Sequence, residues 1–309
     1  MNLILCHQTT SVPWQAATLA IGHFDGVHLG HRKVILEAVH DARRHGRPTV
    51  VVTFDRNPLE VLRPEDAPPY LCTLRQRLER FETLGVDHTV LLIFDKQLAS
   101  QPWLEFAEGT LRDWLHCKHL VVGHDFRFGQ GRLGTPEAVH ARREELGFDA
   151  TAVPALEHDG RRVSSTEIRL ALQAGRLDQA ERALGRPYSL VGTVVHGDKR
   201  GRTFGYPTLN LVPVARLVVP SDGVYAGTVH VGPDRWKAAV SIGVRPTVGG
   251  GQRTIEAHLL DYPGDDLYGR TVTLTFLARL REERAFPNTE QLRVQMDEDV
   301  RQCRALLDV

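Results

Sequence analysis

Hydrophobic positions along this 309-residue chain follow two regimes, and the change between them falls near residue 184. From residue 18 onward, short apolar runs alternate with stretches of helical spacing. The runs Leu19–Phe24, Thr49–Phe54, His88–Phe94, His119–Phe126 and Ala150–Leu156 predict strands. The residues near 32–45, 73–84, 102–116 and 135–146 predict helices between them. Gly46 and Pro48 end the first helix, and Thr135-Pro136 opens the fourth with a cap and a first-turn proline. Val163 to Arg169 opens one more helix, and Leu170 to Leu184 keeps helical spacing. Strand–helix alternation of this kind builds a parallel sheet with helices on both faces.

Beyond Leu184 the long helical stretches stop. Leu190–Val195, Val224–Val231, Trp236–Ile242, Thr254–Asp261 and Thr271–Leu280 predict strands at short intervals, separated by glycine-rich turns such as Gly249-Gly250-Gly251. That pattern predicts a small antiparallel barrel. The tail, Thr289 to Leu307, returns to helical spacing through Leu292, Met296, Val300, Cys303 and Leu307, with Asn288 as its cap. The expected fold is α/β: a doubly wound parallel-sheet domain over residues 1–184, then a β-barrel domain with a C-terminal helix over 185–309.

Composition narrows the function classes. Lys plus Arg and Asp plus Glu are both 38, a formal net charge of +0, which argues against a general nucleic-acid or membrane-surface binder. The four cysteines, Cys6, Cys72, Cys117 and Cys303, are scattered and form no Cys-x-x-Cys, so a disulfide framework or zinc site is not expected. No stretch has the form of a signal peptide or is long enough to span a membrane, so the expectation is a cytoplasmic protein. It would act as a monomer or weak homo-oligomer.

The chemistry-bearing residues gather where a doubly wound sheet binds ligands, beyond the carboxyl ends of its strands. Gly22-His23-Phe24-Asp25-Gly26-Val27-His28-Leu29-Gly30-His31 lies between the first strand and the first helix. Its glycines let backbone approach a ligand, a helix start offers N–H groups to an anion, and two imidazoles can face one phosphate. It is neither the dinucleotide fingerprint nor a P-loop. Asn57 follows the second strand, and Asp125 to Gly129 the fourth. Ser164 and Glu167 have the spacing of a capping box, which explains them as well as a phosphate contact does. In the second half, His196 to Gly205 is a basic, glycine-rich loop that reads equally as a phosphate wrap or a solvated turn. Thr208 and Asn210 point the same way on an extended segment, toward one hard cation or toward solvent. Ile255, Ala257 and Leu259 share a face, which turns Glu256 to the other.

Assembled, these motifs resemble the bifunctional riboflavin kinase/FAD synthetase family from about Leu19 to the C-terminus. The first half is similar to nucleotidylyltransferases through Gly22 to His31, Val122 to Gly129 and Ser164 to Arg169. The second is similar to riboflavin kinase through Gly192 to Gly197, Gly205 to Asn210, Gly223 to Ala226 and Glu256 to Asp261. The resemblance implies phosphorylation of riboflavin by ATP to FMN in the second half, then adenylylation of FMN by ATP to FAD and pyrophosphate in the first. It implies Glu256 as the kinase base and Thr208 and Asn210 as Mg²⁺ ligands. His28 and His31 would stabilise the adenylyl transfer. ATP and its phosphates would lie against Gly22, Phe24, Asp25, Gly26, Asn57, Asp125, Ser164, Ser165, Thr166 and Arg169 in one half, and Gly197, Lys199 and Arg202 in the other. Phe126 and Phe128 would border the flavin. Some positions depart from the family pattern: Leu209 for alanine, Val248 for an aromatic residue, His23 for asparagine and Asn57 for histidine. The competing readings are a class I aminoacyl-tRNA synthetase-like enzyme, which shares His28-Leu29-Gly30-His31, and a flavin or nucleotide sensor without turnover.

Overall fold

The central strands of the first part carry nearly continuous apolar runs, as strands buried on both faces must. A computed structural model describes residues 1–5, 11–158, 160–197, 206–245, 252–264 and 266–307. Lys199, Arg202, Val248 and the Gly249–Gly251 run lie outside the described residues. The chain forms two compact units, one of residues 1–68 and 74–164, the other of 69–73 and 165–309.

The first unit is a parallel sheet of β1 (Asn2–Leu5), β2 (Ala17–Ile21), β3 (Thr49–Phe54), β4 (His88–Leu92), β5 (Cys117–Gly123) and β6 (Asp149–Val153), in the order β1-β4-β3-β2-β5-β6. Alternate residues feed two cores. Ala20, Val51 and Val121 pack against Val34, Ile35, Ala38 and Val39 of the helix Leu29–Arg44. Leu19, Ile21, Val50, Val52 and Val122 pack on the other face against Phe106, Ala107 and Leu111 of the π-helical segment Phe106–Trp114. The order runs outward in opposite directions from β2 and β5, so the crevice at their carboxyl ends is the switch point where such sheets bind ligands.

Several expected boundaries shift for local reasons. β2 stops at Ile21, because Phe24 already has left-handed φ (+53°). The four-residue edge strand β1 and the short helices Leu59–Leu62 and Lys96–Ser100 were not expected. Thr135 caps its helix as expected, its hydroxyl accepting the Ala138 N–H at 3.1 Å. A short hairpin, β7 (Glu157–His158) and β8 (Arg161–Arg162), follows the sheet.

The second unit is a closed antiparallel barrel of β9 (Ser189–Val195), β10 (Thr208–Pro213), β11 (Gly223–Val231), β12 (Asp234–Arg245), β13 (Gln252–Leu259) and β14 (Thr271–Arg281), ordered β10-β13-β12-β11-β14-β9. β10 is a strand beyond the five expected. The barrel core, including Leu190, Tyr225, Val240, Ile255, Ala257 and Phe276, also takes in Ile168, Leu172, Leu177, Ala180 and Leu184. Those five belong to two helices, Ser165–Gln173 and Leu177–Leu184, separated at Gly175 (φ +71°). Their apolar stripes are buried in this core, so the packing boundary falls between Ser164 and Ser165, ahead of the 184/185 division. The C-terminal helix Thr289–Leu307 covers part of the outside of the barrel, with Cys303 buried beside Ala226 and Leu260. Asn288 caps it, its side-chain oxygen accepting the Gln291 N–H at 2.9 Å. Among the described residues no helix is long and apolar enough to cross a membrane.

Candidate active sites

At the end of β2 the chain turns through Phe24 (φ +53°), Gly26 (φ +79°) and Val27 (φ +42°) before the first helix. Positive φ is costly for Phe and Val, so this turn is held by its packing. Phe24, Asp25, Gly26, Val27 and His28 are all buried. Gly22 permits the turn, since a Cβ there would sit 3.0 Å from the Phe24 ring. His28 is the N-cap of the helix, its Nδ1 accepting the His31 N–H at 3.2 Å. With Nδ1 an acceptor, the neutral imidazole carries its proton on Nε2, which leaves Nε2–H as a donor. The His31 ring stacks on His28 with centroids 3.6 Å apart. Gly30 makes this possible, because a Cβ there would press on the His28 ring at 3.1 Å.

The neighbouring strand ends form a cavity of about 390 Å³ lined by Ile21, His23, Phe54, Phe94, Phe106, Asp125, Phe126, Phe128 and Arg132, among others. Phe126 and Phe128 are stacked at 5.7 Å, and Phe106 lies 5.7 Å from Phe128. Gly129 (φ +71°) seats this loop on Trp103, where a Cβ would lie 2.5 Å from the Trp103 Cβ. Asp125 pairs with Arg162. Burial alone would raise the Asp125 pKa, but the hydrogen bond and charge of Arg162, with a smaller effect of His124, hold it below the ordinary value. The cavity is therefore aromatic in its walls and polar at a few points, the usual make-up of a small-molecule site.

The remaining expected residues of this half divide. Asn57 does not line the cavity; its Oδ1 accepts the Leu59 N–H at 3.0 Å in a turn after β3. Ser164 ends the first unit, whereas Ser165, Thr166 and Arg169 belong to the second, where the Arg169 Nε donates to Pro69 O at 2.7 Å. Arg77 was not foreseen. It is buried and donates to the carbonyls of His23 and Phe54, tying the ends of β2 and β3 together. No spacing in the sequence marks it, because its partners lie on other strands.

In the barrel, antiparallel register assembles the second site. Asn210 of β10 is opposite Glu256 of β13, which is opposite Ser241 of β12; Thr208 is opposite His258. Directly opposed residues share a face. Ile255, Ala257 and Leu259 are buried in the core, so Glu256 and His258 are on the outer face, as the alternation predicts. The Thr208 hydroxyl donates to Glu256 Oε2 at 3.2 Å. Gly197 closes on this row, and a Cβ there would overlap the Asn210 amide. A cavity of about 280 Å³ opens beside it, between the barrel and the C-terminal helix, lined by Tyr206, Thr208, Ser241, Glu256, His258, Leu292 and Met296, among others. Burial lowers the pKa of His258, against its hydrogen bond to Pro207 O at 2.9 Å. Arg281 makes a two-pronged pair with buried Asp299 of that helix, at 2.9 and 2.7 Å. His258 was legible in the sequence as the same-face neighbour of Glu256; Ser241 and Arg281 needed the barrel register, and Asp299 the packing of the C-terminal helix on the barrel.

Residues 11–167 match the FAD synthetase family model, and residues 184–307 match the riboflavin kinase model. A bifunctional riboflavin kinase/FMN adenylyltransferase of Pseudomonas fluorescens is 42% identical over 93% of this chain and 91% of its own. The protein of the same description from Escherichia coli K12 is 38% identical over 95% and 93%. A crystal structure described as a macrolide-efflux protein from Streptococcus pneumoniae is 32% identical, with a TM-score of 0.88 over 98% of this chain and 99% of that one. With two family models matched in order and near-full-length relatives of one description, the chain belongs to the bifunctional riboflavin kinase/FMN adenylyltransferase family.

Proposed function

We propose that the barrel unit transfers the γ-phosphoryl group of ATP to the 5′-hydroxyl of riboflavin through Glu256. In this reading the sheet unit then joins FMN to the AMP part of ATP at the His28 turn. The observation that carries the kinase assignment is the Asn210–Glu256–Ser241 row beside an open cavity. Glu256 takes the proton of the 5′-hydroxyl as that oxygen bonds to the γ-phosphorus, and the bond to ADP breaks. General-base assistance of this kind contributes roughly 10²–10⁴-fold.

The donor set suits Mg²⁺. Thr208 gives its only proton to Glu256, so its lone pairs remain for a cation. Asn210 adds an amide oxygen, and both are hard donors. No group of three or more His, Cys, Asp or Glu that could hold a metal occurs among the described residues. An ion here would therefore lean on Thr208, Asn210 and the substrate phosphates, which is how Mg²⁺ is commonly held. When bound, it would supply charge neutralisation on those phosphates. Gly197 borders the same place; Lys199 and Arg202 are proposed for the phosphates from the sequence alone.

In the sheet unit, the FMN phosphate oxygen attacks the α-phosphorus of ATP and pyrophosphate leaves. The His28 Nε2–H can donate to the oxygens on which charge builds, and such donors act electrostatically without covalent chemistry. His31, stacked on it, keeps that ring in place. Gly22, Phe24, Asp25 and Gly26 form the turn that presents them. The flavin ring is assigned to the cavity of Phe126 and Phe128, beside Asp125. Ser164, Ser165, Thr166, Arg169 and Asn57 keep their proposed phosphate roles on resemblance alone. A cytoplasmic setting suits ATP-dependent chemistry and the buried Cys72, Cys117 and Cys303, none of them in a disulfide.

The test is Glu256→Gln in the full-length chain. FMN formation from riboflavin should fall by roughly 10²–10⁴-fold while FAD formation from supplied FMN persists. Equal loss of both, or loss of neither, rules out this division of labour.

A further inference from the structure

Two residues beyond Ser241 on β12 stands Gly243. Strand alternation puts it on the outer face that Ser241 and Glu256 share. It is the diagonal neighbour of Glu256, at roughly 7–8 Å for such a pair. Gly243 is buried, yet it has no side chain to fill its place. A Cβ there would overlap both carboxylate oxygens of Glu283, which follows the end of β14. The missing side chain is thus a notch, and the Glu283 carboxylate occupies it.

That carboxylate accepts the Val244 N–H. One such bond uses one of its roughly four acceptor positions. No cation pairs with it among the described residues: Arg281 is held by Asp299, Arg253 by Asp222, and Arg279 by the Asp222 carbonyl and Glu282. Burial, then the charge of Asp222, and less that of Glu256, raise its pKa against the opposing influence of Val244 and Arg281. Glu283 is otherwise exposed, and a carboxylate without a cation partner can take neutral hydroxyl donors, which bring hydrogen bonds without adding charge. The acceptor of the kinase reaction carries such donors along its ribityl chain, next to the hydroxyl that reacts.

We infer that Glu283 is a substrate-positioning residue of the kinase: from the Gly243 notch it accepts hydrogen bonds from the ribityl hydroxyls short of the reacting one, and so holds the 5′-hydroxyl at Glu256. This rests on the reading that the acceptor lies on the Glu256 face. The carboxylate takes no proton in the reaction; it fixes the chain that delivers one.

The experiment compares riboflavin with a flavin bearing a 5-hydroxypentyl chain, which keeps the reacting hydroxyl and lacks the others. Both are phosphorylated by the full-length chain, as wild type, Glu283→Ala and Glu283→Gln. Glu283→Ala should lower kcat/KM for riboflavin by roughly 10- to 100-fold, the loss expected for a hydrogen bond to a charged group. The hydroxypentyl flavin should change by no more than about twofold, since it never made those bonds. Glu283→Gln, which keeps an acceptor carbonyl, should recover part of the loss, and FAD formation from supplied FMN should not move. Equal losses on the two substrates, or none on either, overturn the inference. Glu256→Gln separates this from a failure of the underlying reading. If it silences both flavins while Glu283→Ala silences neither, only Glu283 is wrongly assigned; if it spares both, the assignment of the acceptor face itself falls.

Discussion

Gly129 and Gly147 both have φ of +71° but differ in ψ, +172° against +14°, and in what surrounds them. Alanine at Gly147 meets the left-handed cost of an L-residue, about 1–2 kcal/mol, whereas alanine at Gly129 meets a conformation essentially confined to glycine, at about 1–3 kcal/mol. At Gly147 nothing lies within 4 Å of the added methyl group, so that cost should be the whole effect. At Gly129 the methyl would lie 2.5 Å from the Trp103 N and Cβ, inside any real contact distance. Much of what it meets is backbone, which cannot swing aside like a side chain, and forced overpacking adds about 1–3 kcal/mol. Gly129→Ala should therefore cost about 2–6 kcal/mol against about 1–2 for Gly147→Ala. Urea unfolding followed by tryptophan fluorescence suits this, since Trp14, Trp103 and Trp114 lie in the sheet unit and only Trp236 in the barrel. If the loop moves instead of the unit unfolding, Phe128 moves with it, and KM for FMN in FAD formation should rise while riboflavin phosphorylation stays constant. Equal midpoint shifts for the two variants, with unchanged FMN kinetics, would refute the argument that the aromatic loop is seated on Trp103.

Three further outcomes follow. His28→Ala should lose the cap at about 0.5–2 kcal/mol as well as most FAD formation, whereas His28→Asn, a good cap, should keep stability by urea midpoint and still lose FAD formation. His23→Asn and Asn57→His should slow FMN adenylylation additively in the logarithm of the rate, because His23 lines the aromatic cavity while Asn57 holds a turn; recovery in the double variant would show that they share a ligand. The His88 Nδ1 is buried without a partner, and burial, outweighing the charge of Asp87, lowers its pKa below 6.5. The unfolded chain then binds the proton more readily, so this histidine's contribution is complete above 6.5 and is lost as pH falls below it; His88→Phe should flatten the acid side of a stability–pH curve measured by fluorescence.

The two-regime pattern carried the architecture because period-two and period-3.6 burial leave different traces in a sequence, and the cores here are large. It was weaker where an element is short or its partner distant. β1 has four residues, and its Leu3 is 43% exposed, so no apolar pattern announces it. The apolar stripe of the helices at 165–184 showed that they pack, but not on which core. The outer-face position of Glu256 follows from alternation alone, and the shared face of Thr208 and Asn210 from their being two residues apart. The outer row they join, and the notch at Gly243, depend on which strands are neighbours in a closed barrel. Periodicity is silent about that, as it is about the carbonyls on two strands that Arg77 ties together.

Over residues 255–259, strand β13 divides its labour residue by residue: Ile255, Ala257 and Leu259 fill the barrel, and Glu256 and His258 face the cavity beside the C-terminal helix. It therefore has no spectator side on which neutral variation can accumulate. Random change along it should fail in two distinguishable ways, with odd positions losing the folded barrel and even ones leaving a folded protein that turns over poorly. A one-residue insertion would exchange the two sets at once and rescue neither. Under the proposed function, attempts to broaden the range of accepted flavins are better directed at the C-terminal helix, where Leu292 and Met296 line the cavity from a separate element and can vary without disturbing strand register.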